Sequence, residues 1–497
     1  MQARAAAGLL TFTGFSVTAL PGSRSNFTVA TSYLHLPLTL VFRTCQAGEA
    51  EIEYKCVKCS AGTYSHGLNS TECKLCLKNA QCPGGDKIYP EPGNWRPDLL
   101  LEEVFQCPRA EACLGHVNFS SEVGYCEEQY TGNLCQVCAA GTGRVGRDGC
   151  ASCLSSSAQK GRAAGLSVGV LGLWVLVSTS SSPERLGLLR IAVHYLQLLA
   201  LVADFDLSWP NSLLDFYYLH RYVGNAVQQS MQCLSDAFFV ITLAAALAPI
   251  VLLLLFAGVW SFVWVLCTLR KCSISIREKY ACSMLVSFTY LHCFILRIAL
   301  TAFHCVTIKP GERWLRGELS VRCWDKQHLA YALTVSLPTA LLWGLGVPGL
   351  LLLLQVKQHK QQIASPVLSY LSLGFQPHVY YWELVMVGLK ACVAVLYTSL
   401  ASLSPSTQAL SLVLLLCAAV VLQSRVAPGQ SAVLNRSQLL SLTAVLVTAY
   451  SGLSFTSNGP STVLVSLVLF LHCIFALYWG KTYFGTTLKT WALRLLH

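Results

Sequence analysis

Length, composition and charge already exclude several classes of protein. The chain has 497 residues, of which 54% are hydrophobic and only 12% are charged, and its formal net charge is +11. Soluble globular proteins carry about 25% charged residues, and disordered chains are charge-rich and poor in aromatic residues. A soluble enzyme and a disordered chain are therefore excluded. The composition predicts a membrane protein whose main partner is the lipid bilayer.

The charge and the cysteines divide the chain near residue 160. Residues 1–160 have a net charge of −1, whereas residues 161–497 have a net charge of +12. Thirteen of the 23 cysteines lie between Cys45 and Cys153. Such a density is typical of an oxidising compartment, so the N-terminal part is expected to lie outside the cytoplasm.

The first segment, residues 1–22, has the pattern of a secretory signal, because Arg4 is followed by an apolar run from Ala5 to Leu20. No small-residue cleavage site follows it. The alternative is a gene model that begins inside a longer ectodomain.

Residues 45–153 are predicted to form a small cysteine-rich domain. Four C-x-x-C pairs occur at Cys56/Cys59, Cys73/Cys76, Cys135/Cys138 and Cys150/Cys153. Two four-cysteine zinc sites would fit this spacing. Disulfides are favoured because Cys82, Cys107, Cys113 and Cys126 lie between the pairs, and because three glycosylation sequons begin at Asn26, Asn69 and Asn118. The pairing stays open at this stage.

The odd number of cysteines in this domain requires one more partner. A lumenal loop cysteine, Cys233, is one candidate, in which case Cys305 would pair with Cys323 in the second outer loop. The alternative pairs Cys233 with Cys305 or Cys323. Cys267, Cys272 and Cys282 fall on the inner side and are expected to be reduced.

Two stretches of this domain resemble known extracellular modules. CVKCSAGTYSHGLNSTECKLC resembles the cysteine-rich repeat of ephrin-receptor-like and growth-factor-receptor proteins, and CEEQYTGNLCQVCAAGTGRVGRDGCASC is similar to EGF and laminin-EGF modules. The resemblance implies a disulfide-bonded extracellular fold and is nearly silent about its ligand. The domain is expected to consist of loops with few β-strands, and an extracellular ligand or matrix is its candidate partner.

The remainder of the chain, residues 161–480, is predicted to be an all-α polytopic membrane bundle. A helix needs about 20 apolar residues to cross the hydrocarbon core. Nine stretches qualify and are the predicted spans: 163–179, 186–203, 236–268, 281–304, 331–355, 382–402, 408–424, 439–455 and 462–480. The tail, residues 481–497, is then cytoplasmic.

The positive-inside rule agrees with an outer cysteine-rich domain. Five inner segments hold twelve Lys and Arg residues, whereas the outer loops 204–235 and 305–330 hold six. The predicted location is the plasma membrane or an endomembrane, with the N-terminus outside. A fourth sequon, Asn435-Arg-Ser437, then lies inside and is expected to stay unmodified.

Ionisable residues within the spans are candidate functional residues, because charges inside a bilayer are costly. Arg297 in the fourth span lies at the same depth as Asp236 and as Asp204 or Asp206. In the sixth span, Lys390 lies two turns after Glu383 on the same helix face. Interhelical packing pairs are the simpler interpretation, and a role in gating or permeation is the functional one.

A second resemblance concerns the membrane part. Asp204-Phe-Asp-Leu-Ser-Trp-Pro210, Tyr380-Tyr-Trp-Glu383 with Lys390, and Pro428…Asn435…Ser441-Leu442 look like large polytopic proteins of protists and algae. Their membrane region is similar to transient-receptor-potential-like channels of the polycystin and fungal flavin-carrier type. The chain departs from them in its short ectodomain and short cytoplasmic tail.

The expected function is that of a channel or channel-like sensor with a disulfide-rich extracellular domain. A receptor or adhesion protein without ion conduction is the alternative, and a transporter is the third. No enzymatic motif, cofactor site or metal site is predicted once disulfides replace zinc. Nucleic acid is not an expected partner. A second copy of the chain is an expected partner, in a homo-oligomer.

Overall fold

The chain divides into two compact units, 1–138 and 139–497, in the computed structural model. The structure describes residues 2–6, 9–13, 16–30, 35–145, 149–155, 157–158, 161, 164–165, 183–205, 207–220, 233, 238–269, 276–309, 311–361, 366–400 and 403–495. The predicted first span, 163–179, lies largely outside them.

The first unit is a chain of β-hairpins. Each consecutive pair of strands forms a two-stranded antiparallel sheet. The strands are β1 Gln2–Ala6, β2 Leu9–Thr13, β3 Arg24–Ala30, β4 His35–Val41, β5 Glu49–Ile52, β6 Lys55–Lys58, β7 Thr63–Tyr64, β8 Lys74–Leu75, β9 Ala80–Gly84, β10 Lys87–Pro90, β11 Asn94–Trp95, β12 Phe105–Gln106, β13 Cys113–Gly115, β14 Tyr125–Cys126, β15 Tyr130–Thr131 and β16 Val137–Cys138. The first hairpin lies within the segment predicted to be a signal sequence.

The prediction of a domain with few β-strands is therefore wrong. Most of these strands have two to five residues, which is too short for a period-two apolar pattern to stand out in the sequence. Disulfides between nearby residues stabilise the hairpins where burial is small. The bonds of the first unit are Cys45–Cys56, Cys59–Cys73, Cys76–Cys82, Cys107–Cys113 and Cys126–Cys135.

Further cysteine assignments concern the end of the first unit and the second unit. Cys153 is bonded to Cys233, and Cys305 is bonded to Cys323. Cys138, at the end of the first unit, and Cys150 are oxidised as well. Cys267 is also disulfide-bonded, which corrects the expectation of a reduced thiol there. Cys282 is a free thiol, and Cys272 lies outside the described residues.

The second unit begins with a β-hairpin and continues as a helical bundle. Its strands are β17 Thr142–Val145, β18 Gly149–Ser152, β19 Cys305–Lys309, β20 Glu312–Leu315 and β21 Glu318–Arg322. Its helices are α1 Pro183–Val202, α2 Asn211–His220, α3 Phe238–Leu269, α4 Ile276–Thr301, α5 Lys326–Gln361, α6 Pro366–Ser372, α7 Trp382–Ser399, α8 Pro405–Val426, α9 Ala432–Asn458 and α10 Thr462–Leu495.

Seven described helices are long and apolar enough to cross a membrane, namely α1, α3, α5, α7, α8, α9 and α10. Helix α4 is bent by 46° and would be the eighth if it crosses as one span. The described residues thus hold seven or eight of the approximately nine predicted spans.

Local sequence signals explain where the last helices begin and end. The Ser404 hydroxyl accepts a hydrogen bond from the Thr407 amide, and Pro405 occupies the first turn of α8. The Ser431 hydroxyl caps α9 in the same way through the Leu434 amide. Helix α9 ends at Gly459, which has φ +78°, a conformation that glycine adopts without steric cost.

Two prolines give α5 an irregular backbone. The turns Ala332–Ser336 and Leu342–Gly346 are π-helical, and Pro338 and Pro348 follow them. In a π-turn, the Trp343 carbonyl would accept from residue 348, but proline has no amide hydrogen. The ring of His292 supplies the missing donor, since its Nε2 lies 2.7 Å from the Trp343 oxygen. His292 therefore has a structural role.

Two apolar clusters form the core of the second unit. The larger one includes Leu198, Val393, Leu412 and Val445 and joins α1 to α7, α8 and α9. The smaller one surrounds Phe256 and connects α3, α4, α5 and α6. These clusters place α1 and α7 side by side, which brings the charged residues of both helices together.

Candidate functional site

A cluster of ionisable side chains lies between α1 and α7. Arg190, His194 and Gln197 recur at intervals of four and three residues on α1, and Glu383 and Lys390 are seven residues apart on α7. This spacing puts each set on one helix face. We call these five residues the charge cluster. Its four ionisable members are buried, and the side chains of Glu383 and Lys390 are fully so.

The cluster is held together by short polar contacts. The Lys390 ammonium donates to Gln197 Oε1 at 2.6 Å and lies 3.0 Å from His194 Nδ1. Because an ammonium group only donates, Nδ1 is the acceptor. The histidine proton therefore sits on Nε2, which lies 3.1 Å from a Glu383 oxygen. The other Glu383 oxygen lies 3.6 Å from an Arg190 nitrogen.

Backbone carbonyls complete the environment of Arg190. Its guanidinium donates to the carbonyl oxygens of Tyr370, Leu371 and Leu373, which lie at the end of α6. It also stacks over the rings of Tyr370 and Phe375, with centroid distances of 5.7 and 5.1 Å. The buried Arg190 charge is thus stabilised by neutral dipoles and by one carboxylate.

Glu383 is less completely satisfied than the cations. Neither of its oxygens completes a hydrogen bond with a described residue, although both lie close to charged or polar nitrogens. A buried carboxylate normally accepts several hydrogen bonds. Glu383 therefore retains capacity for a further donor.

A second ion pair lies at the opposite end of α1. Arg297 of α4 contacts Asp204 through an Nε–Oδ2 distance of 2.7 Å, and its Nη2 donates to Oδ1 at 3.3 Å. Asp204 follows α1 and is buried. The other predicted partners, Asp206 and Asp236, lie outside the described residues.

A third polar group has a structural explanation. His472 of α10 lies 2.7 Å from the Tyr195 hydroxyl and 3.0 Å from the Thr448 hydroxyl. Thr448 donates to the Ala444 carbonyl, so it accepts from His472 Nε2. Both ring nitrogens are then satisfied, and the group links α1, α9 and α10.

The sequons occupy two different environments. Asn26, Asn69 and Asn118 are exposed in the first unit. Asn435, by contrast, accepts from the Gly429 amide and donates to the Gly429 carbonyl, while Ser437 is fully buried. These bonds give a physical reason for Asn435 to stay unmodified.

One group of described cysteines and histidines has the spacing of a metal site, but its ligand atoms are already used. Cys305, Cys323 and His328 lie close together, but the two cysteines form a disulfide. The ring of His328 accepts from the Trp324 amide and donates to the Ala302 carbonyl. Both nitrogens are therefore occupied by the loop itself.

An unexpected polar centre lies in the first unit. The side chain of Arg96 is fully buried and donates to the carbonyl oxygens of Ile88, Leu99 and Leu101. Its Nη2 also lies 3.1 Å from His66 Nε2, so this histidine accepts. No motif in the sequence marks Arg96, which explains why sequence reasoning missed it.

The contact with Arg96 predicts a pH-dependent stability of the first unit. Burial and then the Arg96 charge lower the pKa of His66 below its ordinary value of 6.5, against the opposing effects of Glu102, Asp86 and Glu122. The unfolded chain therefore binds more protons in this range, and stability is lost as the pH falls below about 6.5. Thermal unfolding monitored across this range should show a falling midpoint.

Substituting His66 with glutamine should flatten that pH dependence, because the amide oxygen still accepts from Arg96 but does not titrate. His35→Gln, at an exposed position of β4, is the matched control and should leave the slope unchanged. An identical slope in His66→Gln and in the unsubstituted protein would contradict the assignment.

Comparison with known protein families, with curated proteins and with solved structures finds no match to this chain.

Proposed function

We propose that the protein is a channel-like membrane sensor in which the charge cluster controls ion movement and the disulfide-rich unit faces the outside. The observation that carries this proposal is the full burial of Glu383 and Lys390 in one polar chain with Arg190 and His194. Ionisable residues inside membrane helices commonly mark ion pathways and gating elements.

Energetic cost supports a functional interpretation of the cluster. Apolar residues of similar volume often replace a buried ion pair without loss of stability, so packing alone does not require these charges. The cluster also contains two cationic side chains and one carboxylate. Gain or loss of one proton therefore changes the net charge of the cluster, and the membrane field acts on each of its charges.

Covalent and polar contacts support the proposed orientation. Cys153 is bonded to Cys233, so both lie on the same side of the membrane, with α1 between them. An even number of crossings must separate them, and the predicted span 163–179 would supply the second. Arg144 donates to the Gly317 carbonyl at 2.6 Å, which puts β17 on the same side as the β19–β21 loop by the same rule.

The number of spans after the β19–β21 loop relates the side of this loop to the side of the C-terminus. Five candidate spans (α5, α7, α8, α9 and α10) follow the β19–β21 loop, so an outer loop goes together with an inner C-terminus in the proposed orientation. The excess of Lys and Arg in the inner segments agrees. The likeness to transient-receptor-potential-like channels noted in the sequence points to the same class of function.

Reconstitution into planar bilayers tests the proposal. Currents are expected from the unsubstituted protein, and Lys390→Met should change their pH or voltage dependence, because it removes one cation while Arg190 still faces Glu383. Lys357→Met, at an exposed position of α5, is the control. Absence of any current under voltage, tension or pH steps, with protein that is folded and inserted, would contradict the proposal.

A receptor without ion conduction is the second candidate, and one feature of the first unit favours it. Leu68, Leu75 and Leu100 are 73%, 82% and 80% exposed, and a Lys74–Glu102 ion pair of 2.7 Å brings the segments of the last two together. Exposed apolar side chains of this kind suit a protein ligand. Ligand binding without current would favour this candidate.

A further inference from the structure

A small cavity adjoins Glu383 at one end of the charge cluster. Its volume is about 20 Å³, and its walls include the side chains of Glu383, Gln423, Asn435 and Gln438. Helices α1, α7, α8 and α9 contribute to it. About 10–15 Å³ is enough for one water molecule, so the cavity has room for one.

Three oxygen atoms around this cavity lack a hydrogen-bond donor among the described residues. Both oxygens of Glu383 and the Oε1 oxygen of Gln423 are buried and complete no hydrogen bond with a described residue. The Asn435 oxygen is already used by the Gly429 amide. An occupant that donates hydrogen bonds is therefore required to satisfy the cavity.

Water fits this requirement better than a metal ion. Two acceptor side chains on different helices, Glu383 of α7 and Gln423 of α8, match the two hydrogens of one water molecule. Three groups that carry or can carry positive charge face Glu383, namely Arg190, His194 and Lys390, and they disfavour a metal ion as the resting occupant of the cavity. The α8 and α9 walls contribute the neutral side chains of Gln423, Gln438 and Asn435.

Two loops cover the cavity at the inner face. The Gln376 amide donates to the Pro428 carbonyl at 2.8 Å, and the Gln430 amide donates to the Gly374 carbonyl at 2.9 Å. Gly374, Pro428 and Gly429 line the cavity from this side. The backbone of these two loops therefore forms the wall of the cavity on the side that the proposed orientation assigns to the inside.

We infer that this cavity is a water-occupied proton-entry site through which Glu383 exchanges protons with the inner side of the membrane. The inference rests on the proposed function and names protons as the regulating ion. Hydronium in the cavity gives one proton to the Glu383 carboxylate, which leaves water and a neutral carboxylic acid.

The same carboxylate can receive a proton from the other direction. Lys390 gives a proton to His194 Nδ1, and His194 releases its Nε2 proton to Glu383. The products are a neutral amine, a neutral acid and the other histidine tautomer, so charge and protons balance. Glu383 thus lies between the cavity and the rest of the charge cluster.

Infrared spectroscopy of the full-length protein in lipid nanodiscs tests the inference without requiring a current. Acidification should produce a carbonyl band of a protonated carboxylic acid that is missing in Glu383→Gln. Gln423→Met removes the opposite acceptor at nearly constant volume and should slow the appearance of this band by about tenfold or more. Gln438→Met changes a second side chain of the cavity wall and should also slow the appearance of the carbonyl band.

Gln408→Met is the matched control, because Gln408 is a buried glutamine at the other end of α8, and its rate should not change. Equal rates in the unsubstituted protein and in both cavity variants would overturn the inference, as would a band that persists in Glu383→Gln. An infrared band that behaves as expected in a protein without current would contradict the proposed function alone.

Discussion

Replacing Glu383 with glutamine is expected to lower the free energy of unfolding by about 3–5 kcal/mol, which is the usual effect of breaking a buried ion pair from one side. The substitution removes the carboxylate that both Arg190 and His194 approach. Arg190 keeps its backbone acceptors, but no described carboxylate then balances Arg190 and Lys390. Thermal unfolding in detergent micelles, followed by tryptophan fluorescence, measures the effect.

A double-substitution cycle separates the interaction between Glu383 and Lys390 from nonspecific destabilisation by either substitution. Glu383→Gln combined with Lys390→Met removes one charge of each sign and should recover part of the lost stability, with a coupling of about 0.5–3 kcal/mol. Lys357→Met alone should leave stability within about 0.5 kcal/mol of the original value, as an exposed substitution does. A Glu383→Gln protein as stable as the original would show that the carboxylate is not balanced by these cations.

The sequence alone singles out two of the four ionisable residues of this cluster. Glu383 and Lys390 stand out because charges in an apolar helix are rare and because seven residues bring them to one face. Arg190 does not stand out in the same way, since it lies near the end of a span, where arginine commonly reaches the interface. Which helices are neighbours depends on tertiary packing, and no single helix encodes that.

Depth alone likewise could not select the partner of Arg297. Asp204 and Asp236 lie at similar distances along their spans. Among the described residues Arg297 pairs with Asp204, and Asp236 lies outside them. Close packing in that region depends on Gly452, where a β-carbon would lie 2.7 Å from Leu207 and Trp209. The loop after α1 can therefore approach α9 closely and bury Asp204.

For the first unit, the sequence predicts that disulfides are present but not which cysteines pair. Cysteine spacing and sequons predict disulfides in this segment, and the bonds agree with that expectation. Pairing cannot be derived from spacing, because many connectivities are compatible with the same positions. In the structure, Cys56 is not bonded to Cys59, and Cys73 is not bonded to Cys76. Each of these four cysteines bonds to a cysteine outside its own C-x-x-C pair.

Arg96 gives the second large expected effect. Replacing it with methionine should destabilise the first unit by about 2 kcal/mol or more, because a buried carbonyl left without a donor costs about 1–3 kcal/mol and a half-buried one costs less. Three carbonyls lose their donor, and two of these, from Leu99 and Leu101, belong to the loop between β11 and β12. Limited proteolysis of the full chain, with fragments identified by mass spectrometry, should show earlier cleavage in this loop.

Arg96→Lys is expected to rescue this defect only in part, because an ammonium group cannot reproduce the planar set of donors that a guanidinium presents. Arg109→Met is the matched control, since Arg109 lies in the same unit but is exposed and pairs with Glu111 at 3.1 Å. Equal proteolysis rates in Arg96→Met and Arg109→Met would show that the disulfides alone hold the loop. A selective effect of Arg96→Met would instead show that one buried cation organises the region between the crosslinks.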